Sequence, residues 1–282
     1  MRSRFFATKR KWFSSVIGIR AASLLALILP IAALAQTQPC EPYEGQPGKD
    51  VVWVPTPRAL VEKMLDLAAV TPRDFVVDLG SGDGRMVIAA AKRGARALGV
   101  EYDPEMVALS RKNAAEAGVA DRAVFVQADM FEADFKQATV LALFLLPGNL
   151  RKLSPKFMDL APGTRIVSNT YKIDGWEESD IAYGDNFCIT WCTAYLYLVP
   201  AKVAGAWRIP GGEVRFTQEM QSLSGTLVYP GGRYIPAQGQ VKGDHVRFTA
   251  GFNTYSGRVK GDEITGEASG AMSGFWKATR VR

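Results

Sequence analysis

The hydrophobic pattern of this 282-residue chain changes near residue 200. Before that point, short apolar runs without alternation lie between segments in which apolar residues recur at helical spacing. Such strands are typical of a parallel sheet that helices cover on both faces, because each strand is then buried on both sides. The pattern predicts the helices 56–69, 85–93, 104–117 and 149–160, and the strands 75–78, 97–101, 123–127, 139–145, 165–168 and 193–199. We therefore expect an α/β domain over residues 56–200, with its last strand at a sheet edge.

Residues 203–282 have a different pattern, in which short alternating runs are separated by glycines. The tetrapeptide Val-Lys-Gly-Asp occurs at 241–244 and again at 259–262, each time between two runs typical of strands. Gly-Asp suits a tight hairpin turn between antiparallel strands. We therefore predict a small antiparallel all-β meander or barrel-like domain, with Trp207 and Trp276 in its core.

The basic residues of the chain are unevenly placed. The formal net charge is +6, and six Lys and Arg residues precede the first acidic residue, Glu41. The rest of the chain is therefore neutral overall, and its composition gives no basic patch for a nucleic acid. We expect no nucleic-acid partner.

The N-terminal residues 1–35 have the features of an export segment. The basic stretch is followed by the apolar run 21–35, which ends in the small-x-small pattern Ala33-Leu34-Ala35. This predicts a signal peptide or, if it is not cleaved, a membrane anchor, followed by a Pro- and Gly-rich linker over 36–55. We expect the protein to be exported, periplasmic or membrane-anchored, and to contact the membrane only through this segment.

The three cysteines are Cys40, Cys188 and Cys192. Cys188 and Cys192 fall in a segment that we predict as a strand, where a spacing of four residues separates them by about 13 Å. This is beyond the reach of a disulfide, so we expect buried free thiols, and Cys40 could pair with one of them in an oxidising compartment. Two cysteines without a nearby histidine make an incomplete metal site, and we expect no metal.

The stretch VVDLGSGDGR, residues 76–85, places three glycines directly behind the first predicted strand. In open α/β sheets, ligands bind at the carboxyl ends of the strands. Glycines there let the backbone curl under a ligand, although a sharp turn without any ligand would use them too. The spacing is G-x-G-x-G, and Arg85 stands where a dinucleotide fingerprint has its third glycine. No Lys-Ser/Thr follows, so the stretch is not a P-loop.

Carboxylates also end the next two predicted strands. Glu101 lies in GVEYDP, where it could accept hydrogen bonds from the two hydroxyls of a ribose. Asp129 lies in FVQADMF, where it could accept one from an adenine amino group. Either residue alone could be an exposed acid at a strand end. Together with the glycine loop, they indicate a nucleoside-like ligand.

These motifs resemble motif I, post-I and motif II of the class I S-adenosylmethionine-dependent methyltransferases. Over residues 51–200 the sequence is similar to the family that includes the lysine methyltransferases of the mitochondrial ATP synthase c-subunit and adenine nucleotide translocase. The shared features are the segment Val-Pro-Thr-Pro at 54–57 and the Gly-Asp-Gly-Arg loop at 82–85. The resemblance implies a Rossmann-like methyltransferase sheet and S-adenosylmethionine as cofactor. It assigns the cofactor site to Asp78, Gly80, Gly82, Gly84, Glu101, Asp129 and Met130.

The methyl acceptor should bind at the loops after the fourth and fifth strands. We expect Pro147, Asn149 and Tyr171 to orient an amine there, so the predicted reaction is N-methylation of a protein lysine or of a small amine. The alternative is an exported protein that binds a nucleoside-like ligand without catalysis, and whose β domain binds a ligand or partner.

Overall fold

The computed structural model describes residues 43–49, 52–185 and 188–282. The predicted signal segment and residues 36–42, 50 and 51 of the predicted linker, Cys40 among them, lie outside the described residues. Within the described part, no helix is long and apolar enough to cross a membrane. The residues from Cys40 to Arg282 form one compact unit.

The first half of this unit is a seven-stranded mixed sheet with the order β3-β2-β1-β4-β5-β7-β6. Strands β1 to β5 are parallel, and β7 pairs antiparallel with both β5 and β6. The predicted α/β class with a Rossmann-like methyltransferase sheet is therefore confirmed. The strands are β1 (Phe75–Leu79), β2 (Arg96–Glu101), β3 (Ala123–Gln127), β4 (Val140–Leu143), β5 (Arg165–Asn169), β6 (Asp180–Tyr183) and β7 (Thr193–Leu198).

Two details of the sheet differ from the sequence prediction. The edge strand is β6, which the pattern did not predict because none of its four residues is fully buried. The predicted edge strand, β7, lies one position further in. In addition, β4 ends at Leu143 rather than at residue 145, and the following helix begins two residues earlier than predicted.

Helices cover both faces of the sheet. The helices are α1 (Arg58–Leu67), α2 (Arg85–Lys92), α3 (Pro104–Glu116) and α4 (Pro147–Phe157). Apolar side chains of α1, α2 and α3 form one buried cluster, and those of α4 belong to a second cluster with Trp176 and Tyr197. The central strands β1 and β4 are buried on both sides, so their sequences are nearly continuous apolar runs, whereas the edge strand β3 exposes Val124 and Val126.

The C-terminal half is a closed antiparallel barrel of eight strands. Closure satisfies both edges of the sheet. The predicted Gly-Asp turns lie between β11 and β12 and between β13 and β14. The strands are β8 (Gly205–Ile209), β9 (Gly212–Glu219), β10 (Ser222–Val228), β11 (Tyr234–Lys242), β12 (His245–Ala250), β13 (Asn253–Lys260), β14 (Glu263–Ser269) and β15 (Gly274–Arg280).

Aromatic rings fill the interior of the barrel. Phe248 stacks on Tyr255 with the ring centroids 4.7 Å apart, and Trp276 meets both rings edge-on. The indole nitrogens of Trp207 and Trp276 donate to the carbonyl oxygens of Val203 and Ser256, so their polar atoms are satisfied inside the core. Both tryptophans are buried, as predicted.

One end of the barrel is attached to the amino edge of the parallel sheet. The amide of Ala201 donates to the carbonyl of Gly243 in the β11–β12 turn at 2.7 Å, and Lys202 pairs with Asp159 behind α4 at 2.7 Å. Met220 in the β9–β10 turn packs against the α4 cluster. The glycine loop after β1 lies at the opposite, carboxyl edge, so the barrel does not contribute to that edge.

Cys188 and Cys192 form a disulfide, with their Cα atoms 5.8 Å apart. The prediction of two buried free thiols was wrong, because it assumed that both residues lie on an extended strand. Strand β7 begins only at Thr193. The chain before it folds back as a loop, in which the amide of Gly184 donates to the carbonyl of Cys192 at 2.7 Å.

The aromatic packing of the barrel gives a stability prediction. Phe248→Ala removes a ring that is 1 % exposed and in contact with three others, so it should lower the free energy of unfolding by about 3–5 kcal/mol. Phe275→Ala is the matched control in the same barrel, because Phe275 is 75 % exposed. Urea denaturation followed by tryptophan fluorescence measures both, and equal midpoints would contradict the packing described.

Candidate active site

The turn between β1 and α2 depends on its glycines. Gly80, Gly82 and Gly84 all have positive φ angles, of 78°, 52° and 80°. The amides of Gly80 and Ser81 donate to the carbonyl of Val100 at the end of β2. Left-handed backbone is accessible to glycine without a steric cost, which lets three such residues alternate within five positions.

The three glycines have different surroundings. A Cβ on Gly80 would meet only Leu145, at 3.5 Å, so this position is open towards the cavity described below. A Cβ on Gly82 would lie 2.5 Å from the indole nitrogen of Trp53. A Cβ on Gly84 would lie 2.7 Å from the ring of Phe125, so Gly84 allows close packing of the turn against β3 rather than lining the cavity.

Glu101 holds the glycine turn in place from the end of β2. Its Oε2 accepts the amide of Gly82 at 2.9 Å, and its Oε1 accepts the amides of Tyr102 and Asp103 at 2.8 and 3.0 Å. A carboxylate offers about four acceptor positions. Three are occupied, and Oε2 keeps one for a ligand hydroxyl.

Asp129 lies after β3 and is paired with a residue that the sequence analysis missed. Its Oδ1 accepts the amide of Phe131 at 2.9 Å, and its Oδ2 lies 2.5 Å from Lys49 Nζ. The hydrogen bond from Lys49, followed by that from the Phe131 amide, lowers the pKa of the Asp129 carboxyl below its usual value. Lys49 also lies over the ring of Tyr102, 4.5 Å from its centroid.

These residues surround a cavity of about 300 Å³ at the carboxyl edge of the sheet. This volume is at the lower end of the range for small-molecule sites. Of the predicted site residues, five line the cavity, namely Gly80, Glu101, Asp129, Met130 and Tyr171. The lining residues that the sequence analysis did not predict include Gln46, Lys49, Trp53, Tyr102, Phe144, Leu145 and Trp191.

Asp78 lies beside this cavity, in a smaller one of about 40 Å³ that Gly82, Trp53 and Phe144 also line. Burial, and secondly the negative charges of Glu101 and Asp83, raise the pKa of Asp78 from 3.8 to about 8. The carboxyl group is therefore mostly neutral at pH 7. A positively charged ligand group would reverse this shift, because it favours the ionised form.

The three candidate residues on the acceptor side are placed differently. Tyr171 lines the cavity, but Pro147 and Asn149 do not. Helix α4 begins at Pro147, so both belong to its first turn, and the loop that reaches the cavity ends at Leu146. The side-chain amide nitrogen of Asn149 is buried without a hydrogen-bond partner among the described residues.

An aromatic wall forms the acceptor side of the cavity. It consists of Phe144, Tyr171 and Trp191, and the Trp191 ring lies 5.8 Å from that of Phe144 and 6.1 Å from that of Tyr171. Trp191 has a φ of 58°, which is uncommon for a residue with a side chain. It directly precedes Cys192, so the disulfide constrains the backbone that carries this ring.

The residues present fit S-adenosylmethionine. Gly80 leaves open space beside the turn, Glu101 keeps a free acceptor position, and buried Asp78 would be stabilised as an anion by an ammonium group. Within the described ranges, no three His, Cys, Asp or Glu side chains are grouped so that they could hold a metal ion.

Comparisons with known proteins agree with this geometry. Residues 78–180 match the family model described as ANTKMT methyltransferase domain. The chain is 40% identical over 152 residues to a protein-lysine N-methyltransferase of Saccharolobus islandicus, covering 53% of this chain and 94% of that protein. It is 30% identical over 187 residues to the ATP synthase c-subunit lysine N-methyltransferase of Xenopus laevis, covering 65% of this chain and 77% of that protein.

A solved structure is also similar. It is an RNA methyltransferase from Salinibacter ruber in complex with S-adenosyl-L-homocysteine, 45% identical, with a TM-score of 0.50. The match covers 53% of this chain and 96% of that chain. The sheet, the cavity and these similarities lead to one conclusion: the chain is a methyltransferase that uses S-adenosylmethionine, and it belongs to the protein-lysine methyltransferase family.

Proposed function

We propose that this enzyme methylates the side-chain nitrogen of a lysine in a protein. The observation that carries the proposal is the aromatic wall of Phe144, Tyr171 and Trp191, which lines the same cavity as the carboxylates of Glu101 and Asp129. Aromatic faces attract a cationic ammonium group. Relatives named as lysine methyltransferases of the ATP synthase c-subunit and of adenine nucleotide translocase give further support.

The chain's residues divide the work between two sides of the cavity. On one side, we propose that Asp78, Gly80, Glu101, Asp129 and Met130 hold the cofactor, which supplies an activated methyl group on a sulfonium. On the other side, Tyr171 and Trp191 would contact the lysine side chain and orient its nitrogen within the cavity. Positioning of this kind is the largest part of catalysis in such a displacement.

The lysine must lose its proton before it attacks. The cavity wall on the acceptor side is apolar and aromatic, with Leu145 buried and Phe144 half-buried. Removal of water from the amine in such surroundings lowers the pKa of a bound lysine and opposes the attraction of the rings for its charged form. The chain can therefore promote deprotonation by desolvation, with water as the proton acceptor at the exposed cavity mouth.

We further propose that the protein is exported or membrane-anchored. The apolar segment 21–35 behind a basic stretch supports this location. The Cys188–Cys192 disulfide supports it as well, because disulfides persist in oxidising compartments and are rare in the cytosol.

The proposed acceptor can be tested with S-adenosylmethionine labelled in its methyl group. Incubation of the purified chain with membrane proteins, soluble proteins and RNA from the source cells should place the label on lysine side chains, identified by mass spectrometry. Glu101→Ala should abolish labelling, because the turn at Gly82 loses its carboxylate partner. Exposed Glu116→Ala is the control and should label normally. Label found only in RNA or in small amines would contradict the proposal.

The raised pKa of Asp78 predicts proton release on cofactor binding. At pH 6.5 the free carboxyl group is protonated, because its pKa is about 8. A bound ammonium group would lower that pKa, so the proton should leave. The Kd for S-adenosylhomocysteine should therefore fall by up to roughly tenfold per pH unit between pH 5.5 and 7.5 and level off near pH 8.

Calorimetry in two buffers of different ionisation enthalpy measures this release directly. Wild type should release close to one proton at pH 6.5, and Asp78→Asn should release none. Binding heats that do not depend on the buffer in wild type would place the ammonium group away from Asp78.

The disulfide should act on the acceptor through Trp191. Reduction, or Cys188→Ser with Cys192→Ser, should raise the KM for the protein acceptor by about 2–10-fold, the amount that one aromatic contact contributes. Trp191→Ala should give the same increase and should then be insensitive to reduction. Ile189→Ala, at an exposed position of the same loop, is the control. An effect of reduction that persists in Trp191→Ala would contradict this route.

A further inference from the structure

The barrel has two chemically different ends. Because the strands form a meander, alternate turns lie at the same end. The inner end carries the turns at 220–221, 243–244 and 261–262 and meets the sheet. We call the other end the outer end, and its turns are 210–211, 229–233, 251–252 and 270–273.

Large apolar side chains are exposed at the outer end. Phe252 at the β12–β13 turn is 94 % exposed, and Phe275 at the start of β15 is 75 % exposed. Tyr234 and Met272 are 71 % and 42 % exposed. Single exposed apolar residues need no explanation, but four at one end of a small barrel indicate an interaction surface.

Contacts between the turns hold these residues in one patch. The amide of Met272 donates to Asn253 Oδ1 at 2.7 Å, which ties the β14–β15 turn to the residue after Phe252. A Cβ on Gly270 would lie 2.1 Å from the carbonyl oxygen of Phe252, so these two turns are in backbone contact. Gly251 lies against Ile235, next to Tyr234.

An end of a barrel that faces water usually carries charged residues, and an end that packs against protein is usually apolar. In this barrel the distribution is reversed. The outer segments 209–212, 229–235, 250–254 and 269–275 contain no Asp or Glu, and their single charged residue is Arg233. The inner end, which contacts protein, carries the ion pairs Lys202–Asp159, Arg258–Asp244 and Arg280–Asp262. The turns of the outer end are therefore apolar with one cation, although they lie at the end of the barrel away from the parallel sheet; next to them lies exposed Glu267, whose partner on the neighbouring strand is Phe275.

We propose that the outer end of the barrel inserts into the interfacial region of a lipid bilayer. Aromatic side chains are enriched at that depth, where Tyr234 can keep its hydroxyl in water. Arg233 can meet lipid phosphates, and carboxylates that an anionic surface would repel are absent from these turns. The four side chains come from three turns and the strand residues next to them rather than from one flat face, which suits a fluid surface better than a rigid partner.

The same chain carries the apolar segment 21–35, which brings it to a membrane at least during export. A single weak insertion into the bilayer gives only marginal membrane binding, and a second membrane-binding element makes the binding stable. The outer end would supply such a second contact, in addition to the N-terminal segment that the sequence analysis expected to be the only one.

Vesicle binding tests the proposal without any methyl acceptor. The chain from Gln36 onwards should sediment with vesicles of phosphatidylcholine and phosphatidylglycerol, and more weakly with phosphatidylcholine alone. Phe252→Ser with Phe275→Ser should weaken binding by on the order of a hundredfold, because two rings leave the bilayer. Tyr183→Ser, at a 66 % exposed position of β6, is the matched control and should bind as wild type.

Two readouts keep the result unambiguous. Phe252→Trp should show a blue-shifted emission on adding vesicles, and all variants should bind S-adenosylhomocysteine as wild type does, which shows that they are folded. Absence of vesicle binding, or equal binding by the double variant, would overturn the proposal. So would a dimer in solution that the double variant converts to a monomer, because the patch would then bind a second copy.

Discussion

The site depends on one carboxylate and the three backbone amides that it accepts. Glu101 binds the amide of Gly82 in the turn after β1 and the amides of Tyr102 and Asp103 in the turn after β2. These hydrogen bonds join the turn after β1 to the turn after β2. The backbone on this side of the cavity is therefore held in place without a ligand. They also keep a negative charge close to buried Asp78, which adds to the effect of burial on the Asp78 pKa. Glu101 therefore holds the backbone on this side of the cavity and, after burial, contributes to the raised pKa of Asp78.

The sequence was sufficient for the parts of the site that are local in the chain. Gly80, Glu101 and Asp129 lie at or just after the ends of β1, β2 and β3, and adjacent parallel strands bring their carboxyl ends together. The sequence was not sufficient to predict the residues before α1 that line the cavity. Lys49 is 80 residues away from Asp129, and residues 43–54 have no periodic pattern that would indicate packing. A Pro- and Gly-rich stretch is typical of a linker, yet here it contributes Gln46, Lys49 and Trp53 to the wall.

On the acceptor side, the sequence prediction failed for a different reason. The prediction for Pro147 and Asn149 assumed a loop after β4, but Pro147 has the fixed φ that suits the first helical position, and α4 starts there. The disulfide was missed because its geometry was judged on an extended strand. Two cysteines four positions apart in a loop can come together, and Gly184 makes room for this. A Cβ at that position would lie 2.8 Å from the Cβ of Cys188.

The two halves of the chain have different roles in the proposed arrangement. The sheet carries the cavity, and the barrel carries the proposed membrane contact. The barrel joins the amino edge of the parallel sheet through Gly243, Lys202 and Met220, and the cavity opens at the carboxyl edge. The rings of Phe248, Tyr255 and Trp276 fill the barrel interior, so whatever the barrel binds must meet its outer surface. A bilayer bound by the outer end, as proposed, would meet turns that contribute no residue to the cavity. Membrane attachment and the binding of an acceptor lysine at Tyr171 and Trp191 would then use separate surfaces of the protein.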